Sequence, residues 1–200
     1  MDRREAIQRT AIILGYAISA PALNGVLIGC KADPRLEFKP NFFNNEQAAA
    51  VSEISEIIIP KTNTPGAIDA GVPGFIDSLI GEVYTKDERD TFLKGLNDFN
   101  SDARSNYGDD FFRCSLEQRI ELFKRHHDKA IATSAGGGPT GWWNAGSAVE
   151  KPWILIMKEL TLLGFFTSEV GATQVLQYNQ VPGPYQGCVP LTQVGKAWAT

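Results

Sequence analysis

The sequence predicts an all-α protein, a single compact domain of about five to six helices following an N-terminal signal and tether. Apolar residues recur at three- and four-residue spacing from residue 45 to about 131, and two capping-box signals open apolar-periodic runs. No alternating strand pattern lasts more than a few residues.

The elements follow in chain order. Residues 45–59 place Val51, Ile54, Ile57 and Ile58 on one face, and Pro60 with KTNTPG ends the run. Pro73 suits the first turn of a second helix, whose buried stripe is Phe75, Ile76, Leu79, Ile80 and Val83. Thr85 and Glu88 form the capping box of a third helix with Phe92, Leu93, Leu96 and Phe99 inward. Ser115 and Gln118 repeat that signal for a fourth, with Leu116, Ile120, Phe123, His127 and Ile131 as its stripe. SAGGGPTGWWNAGSA at 134–148 breaks the pattern around Trp142 and Trp143, two indoles whose apolar area suits a core-packing flap or a binding surface. PWILIMKELTLLGFF is apolar almost all round and reads as the buried central helix. A further helix near 168–177 leads into VPGPYQGCVP, where three prolines and two glycines forbid regular structure.

Composition bounds the chemistry. The 200 residues are 43% hydrophobic, enough for one buried core, and too few for two comfortable domains. A formal charge of -4, from 19 basic and 23 acidic residues, supplies no field to hold a polyanion, so nucleic acid is excluded as a partner class.

The N-terminus has a targeting profile. Arg3, Arg4 and Arg9 precede the uncharged stretch AIILGYAISAPALNGVLIG, in which Pro21, Asn24 and the glycines disfavour a spanning helix. The adjacent arginines resemble a twin-arginine signal, the kind read by a route that moves folded proteins. Leu27-Ile28-Gly29-Cys30 resembles a lipobox, which makes Cys30 the acylated first residue of the mature chain, tethered by roughly 0.8 kcal/mol per buried methylene. Residues 1–29 are therefore the signal, 30–41 the lipidated Cys and tether, and 42–200 the helical domain. Removal of the signal leaves 16 basic against 21 acidic residues. Cys114 and Cys188 remain, and they either bridge each other or leave one to pair with a partner chain.

No catalytic or metal-binding set stands out. His126 and His127 are adjacent on a helix and point in different directions, so they cannot chelate one metal as an i, i+4 pair does. GGGP at 136–139 lacks the helix and Lys of a phosphate cradle, and HExxH, CxxC and nucleophile-elbow motifs are missing. An exported helical domain of this kind reads as a subunit, chaperone or binding module rather than a free-standing enzyme.

Two blocks then carry a family likeness: EIIIPKTNTPGAIDAGVPGFID at 56–77 and KELTLLGFFTSEVGATQVLQYNQVPGPYQGCVPL at 158–191. With the leader DRREAIQRTAIILG they resemble the gluconate 2-dehydrogenase subunit 3 family, the small (gamma) subunit of membrane-associated sugar and sugar-acid dehydrogenases. The resemblance implies a complex in which a GMC-type large subunit carries FAD and oxidises the substrate, and electrons pass towards a haem c subunit. It implies for this chain no catalytic, cofactor or metal residues, and a role in maturation and twin-arginine export of the flavoprotein, on the periplasmic side of a membrane.

Three places are expected at the partner interface. The loop Pro65–Pro73 presents Asp69 and Gly71, with a purely structural turn as the rival reading. Phe165, Phe166 and Glu169 mark a break between helices, where aromatics can anchor a neighbour. Tyr185 to Cys188 lie in a Pro-rich tail able to wrap a partner, with an intersubunit disulfide at Cys188 set against an intrachain bridge to Cys114. Two other functions compete: a stand-alone envelope lipoprotein that binds carbohydrate through Trp142 and Trp143, and a hydrolase or metalloenzyme around His126 and Asp128.

Overall fold

The computed structural model describes residues 36–134, 151–181, 183–184 and 187–199. Arg3, Arg4, Cys30, the pair Trp142–Trp143 and Tyr185 lie outside the described residues. Six α-helices are seen among those described: α1 Asn45–Ile58, α2 Val72–Ser78, α3 Lys86–Tyr107, α4 Leu116–Ser134, α5 Trp153–Thr167 and the short α6 Leu191–Val194. Two π-helical turns, Leu79–Val83 and Gly171–Val175, extend α2 and follow α5. The class is all-α, as expected.

Local chemistry sets the helix ends. Asn44 caps α1 reciprocally with Gln47, whose N–H reaches Asn44 Oδ1 at 2.8 Å, while Gln47 Oε1 accepts from Asn44 N at 3.1 Å. Thr85 and Glu88 cap α3 in the same way, and Gly108 at φ 80° closes it. Ser115 and Gln118 exchange the equivalent bonds at 2.9 and 3.3 Å to open α4.

The apolar helix α5 packs against α1, α2, α3 and α4, so the segment without a polar face is the centre of the fold. Gly164 on α5 admits Phe75 of α2, whose Cδ1 would lie 2.7 Å from a Cβ at that position. A run of rings continues the core: Phe43 stacks on Phe92 at 5.9 Å, Phe92 meets Trp153 at 5.8 Å, and Phe99 touches Trp153 and Phe111 at 5.4 and 4.8 Å. Each fully buried ring contributes on the order of 1.5–3 kcal/mol.

Two expected stripes are corrected. Val83 is 69% exposed, because the π-helical turn at 79–83 rotates it away from Ile80. On α4, Leu116, Ile120 and Ile131 are also exposed, while Leu122 and Ala130 are buried. The face of α4 towards the domain also carries partly buried polar residues paired with neighbouring helices: Arg119 with Glu53 of α1, and His126, whose Nε2 lies 2.8 Å from Asp102 Oδ2 of α3. An ion-paired polar residue can take a partly buried position, so hydrophobicity alone selects the wrong face.

Among the described residues the chain already packs on the core at Leu36, ahead of the Phe42 near which the sequence places the start of the domain. Residues 36–42 alternate, with Leu36, Phe38, Pro40 and Phe42 turned towards the domain and Glu37, Lys39 and Asn41 exposed. The Asp77 carboxylate of α2 accepts the N–H groups of Asn41 (2.7 Å), Phe42 (3.1 Å) and Phe43 (2.8 Å). At the other end of the chain, Gln177 and Trp198 form a parallel bridge, and the Gln177 side-chain amide donates to the carbonyls of Val194 and Lys196.

Candidate functional site

The loop between α1 and α2 is built around two carboxylates. Pro60 ends α1, and Glu56 in its last turn accepts from Lys61 N at 2.8 Å and Ile68 N at 3.1 Å, joining the two sides of the loop. Ala67 N donates to Ile59 O at 2.9 Å alongside. Gly66 fills the remaining gap, since a Cβ there would stand 2.4 Å from Glu56 Oε1 and 2.7 Å from Lys61 N. Asp69 is the second organiser: its Oδ1 is 2.9 Å from Lys61 Nζ and its Oδ2 accepts from Gly66 N at 3.1 Å. Gly71 then turns the chain into α2 at φ 71°, a backbone conformation that L side chains rarely adopt.

The electrostatics of the loop follow from that geometry. The hydrogen bond from Lys61, with the Gly66 N–H, holds the Asp69 carboxyl below the usual carboxylate range. Asp69 in turn raises the Lys61 ammonium, with smaller contributions from Glu37 and Glu56. Both side chains are solvent-accessible, so the pair shapes the loop more than it stabilises the whole fold.

Lys61, Thr62, Asn63, Thr64, Pro65 and Asp69 form one wall of an open notch of about 460 Å³; Val170 and Gln174, from the helical segment after α5, form the other. That segment begins at Ser168, whose hydroxyl donates to Phe165 O at 2.7 Å and accepts from Gly171 N at 3.0 Å, ending α5 and restarting the chain as a new turn. Lys196 Nζ donates to Gln174 O at 3.1 Å, so the C-terminal segment reaches the same turn. The two blocks at 56–77 and 158–191 therefore meet at one surface.

The structure sorts the expected interface residues. Asp69 lines the notch, Gly71 lies two residues on as the left-handed turn before α2 and is not among the notch residues, and the exposed Glu169 precedes the notch residue Val170. The expected exposed aromatic pair is corrected to one ring: Phe165 is 2% exposed and belongs to the core, while Phe166 is 42% exposed and stands edge-on to it at 5.3 Å. Successive helical residues point about 100° apart, so both rings cannot face outward. Cys114 and Cys188 are both free thiols, the first buried and the second exposed. Burial, with Asp109 and Asp110 nearby, pushes the Cys114 thiol up, and its Sγ lies 3.4 Å from Asp110 O.

The sequence reading passes over three organising residues: Glu56, Lys61 and Asp77. Only Asp77 carries a sequence signal, as an acid embedded in the apolar run PGFIDSLI. Glu56 and Lys61 look like ordinary surface charges.

The other polar groups do not converge. His126 turns to Asp102 and meets the Phe99 ring at 4.9 Å, whereas His127 stacks on Phe123 and lies 3.2 Å from Lys158 Nζ. Among the described residues no group of three or more His, Cys, Asp or Glu side chains is placed to hold a metal ion, and no helix is long and apolar enough to cross a membrane.

A sequence model of the family described as gluconate 2-dehydrogenase subunit 3 matches residues 45–183, which takes in the loop, the central helix and the turn opposite the loop. No curated protein and no solved structure matches the chain.

Proposed function

Because the chain belongs to the gluconate 2-dehydrogenase subunit 3 family, we propose that it is the non-catalytic small subunit of a periplasmic, membrane-associated, FAD-dependent sugar or sugar-acid dehydrogenase complex. The family match across 45–183 is the observation that carries this reading. In it, the large flavoprotein binds FAD and oxidises the substrate, a haem c subunit takes the electrons, and no residue of this chain holds either group. The small subunit supports maturation of the flavoprotein. Its Arg3-Arg4 leader takes the folded, FAD-loaded partner through the twin-arginine route, and acylated Cys30 then anchors the assembly.

The notch is the docking surface in this reading. Its loop is held by Glu56 and Asp69 before any partner arrives, which lowers the ordering cost of association. Phe166 supplies an exposed aromatic anchor close in sequence to the notch residue Val170. Cys188, exposed and free, is available for an intersubunit disulfide.

Co-purification tests the assembly. The tagged chain is expected to bring down a flavoprotein with the absorption spectrum of bound FAD, and deletion of the chain is expected to leave that flavoprotein unexported and inactive. A monomeric chain, together with a flavoprotein exported and active without it, would overturn the reading. Replacing Arg3 and Arg4 with Lys tests the leader separately, because both proteins should then stay in the cytoplasm.

A further inference from the structure

We propose that residues 36–43 are a latch that closes on the folded domain and opens independently of it, with Asp77 as the catch. The stretch is a non-helical run with bends at 37–38 and 41–43, and it lies against α2 and the π-helical turn that extends it. Phe38 packs over Gly74, where a Cβ would be 3.5 Å from the ring, and Phe42 packs over Gly81, where the corresponding distance is 2.9 Å. Between these two glycines, one turn from each, Asp77 takes the three successive N–H groups of 41–43. Two small residues and one acid at helical spacing thus line the surface on which this segment rests.

The surfaces that receive the latch come from distant parts of the sequence. Asp77 lies 34 to 36 positions from the amides it binds, and Phe43 stacks on Phe92 of α3. The latch therefore has nowhere to close until α2 and α3 have packed. Its hold on the fold is local: Glu37, Lys39 and Asn41 are exposed, Leu36, Phe38 and Phe42 are partly buried against the core, and Phe43 alone is fully buried. A segment with few buried contacts, whose amides depend on a single side chain, opens below the global unfolding free energy. Residues 36–43 are then closed on a folded domain and released from an unfolded one. The bearing of this on export rests on the proposed leader function; the latch itself does not.

Hydrogen exchange on the full chain tests the latch. The amides of Asn41, Phe42 and Phe43 are expected to exchange faster than those of Phe92–Phe99 in the native protein. In Asp77→Asn they should exchange about tenfold faster again while the α3 amides are unchanged. Phe38→Ala, which keeps the catch and removes a packing ring, should accelerate the same amides alone. Equal protection of latch and α3 amides, with both moving together in either variant, would overturn the proposal and make 36–43 an integral part of the core. A latch opened by Asp77→Asn with leader processing unchanged in cells would overturn only its bearing on export.

Discussion

Gly164 on α5 stands against Phe75 on α2, with space for a ring and none for a side chain: a Cβ on Gly164 would lie 2.7 Å from Phe75 Cδ1. This contact brings the central helix against the helix that follows the notch loop. Gly164→Val is expected to destabilise the domain by about 1–3 kcal/mol through overpacking, a fall of roughly 2–4 °C in melting temperature per kcal/mol at this size. In a Phe75→Ala background the same substitution should cost less, because the ring it meets is gone. Strictly additive losses in thermal melts would show that the two positions do not press on each other.

Thr85→Ala should cost about 1 kcal/mol by removing the cap of α3. The Thr85 backbone and hydroxyl donate to Glu88 and hold its carboxyl below the usual range. A lowered carboxyl contributes stability above its unfolded value and loses it as pH falls through the folded one. The variant should therefore move the Glu88 titration upward, followed by NMR. An unmoved titration would mean that the hydroxyl contributes little to the shift.

The notch loop should be held between two pH limits. Asp69 is lowered, so its clamp on Lys61 and Gly66 is complete above the ordinary carboxylate value of about 4 and is lost on acidification through the depressed one. Lys61 is raised, so its share is complete below the ordinary lysine value of about 10.4 and is lost as pH rises through the elevated one. The Gly66 amide shift should report the acid transition, and Asp69→Asn should abolish it. A Gly66 shift that titrates unchanged in the variant would place its cause elsewhere.

Alkylation should separate the two thiols of the domain. Cys188 is exposed, whereas Cys114 is buried with its thiol pushed up, which lowers both access and thiolate fraction. Peptide mapping after brief treatment at neutral pH should find Cys188 modified and Cys114 intact until denaturant is added. Comparable rates would contradict the packing around Phe111–Cys114.

Substitution of Lys61 in the notch and of the exposed ring Phe166, four residues before Val170, addresses assembly. Phe166→Asp and Lys61→Glu are each expected to reduce flavoprotein recovery about tenfold or more while the helical circular dichroism is retained. Full recovery with both variants would move the docking surface elsewhere on the molecule.

Much of the architecture was legible because helix ends are written locally. The boxes Thr85–Glu88 and Ser115–Gln118 satisfy orphan amides three residues away, and the apolar run at 153–167 has no face to give to water. Asp69 and Gly71 were legible as a turn, and 165–169 as a break, since Gly, Pro and Ser carry their backbone preferences with them. The family blocks were legible as well, and the match over 45–183 agrees with them.

The sequence alone thus determined the helical class, the starts of α3 and α4, the central place of α5 and the family. Only the tertiary structure decided which way α4 faces, that residues 36–43 lie on α2, and that the Lys61–Asp69 loop meets the turn at 170–174. The physical reason is range. A cap or turn is decided by groups within four residues, whereas Arg119 is partly buried beside Glu53, His126 turns to Asp102, and Phe43 is held by Asp77. Each of those pairs joins residues more than twenty positions apart, and packing alone brings them together.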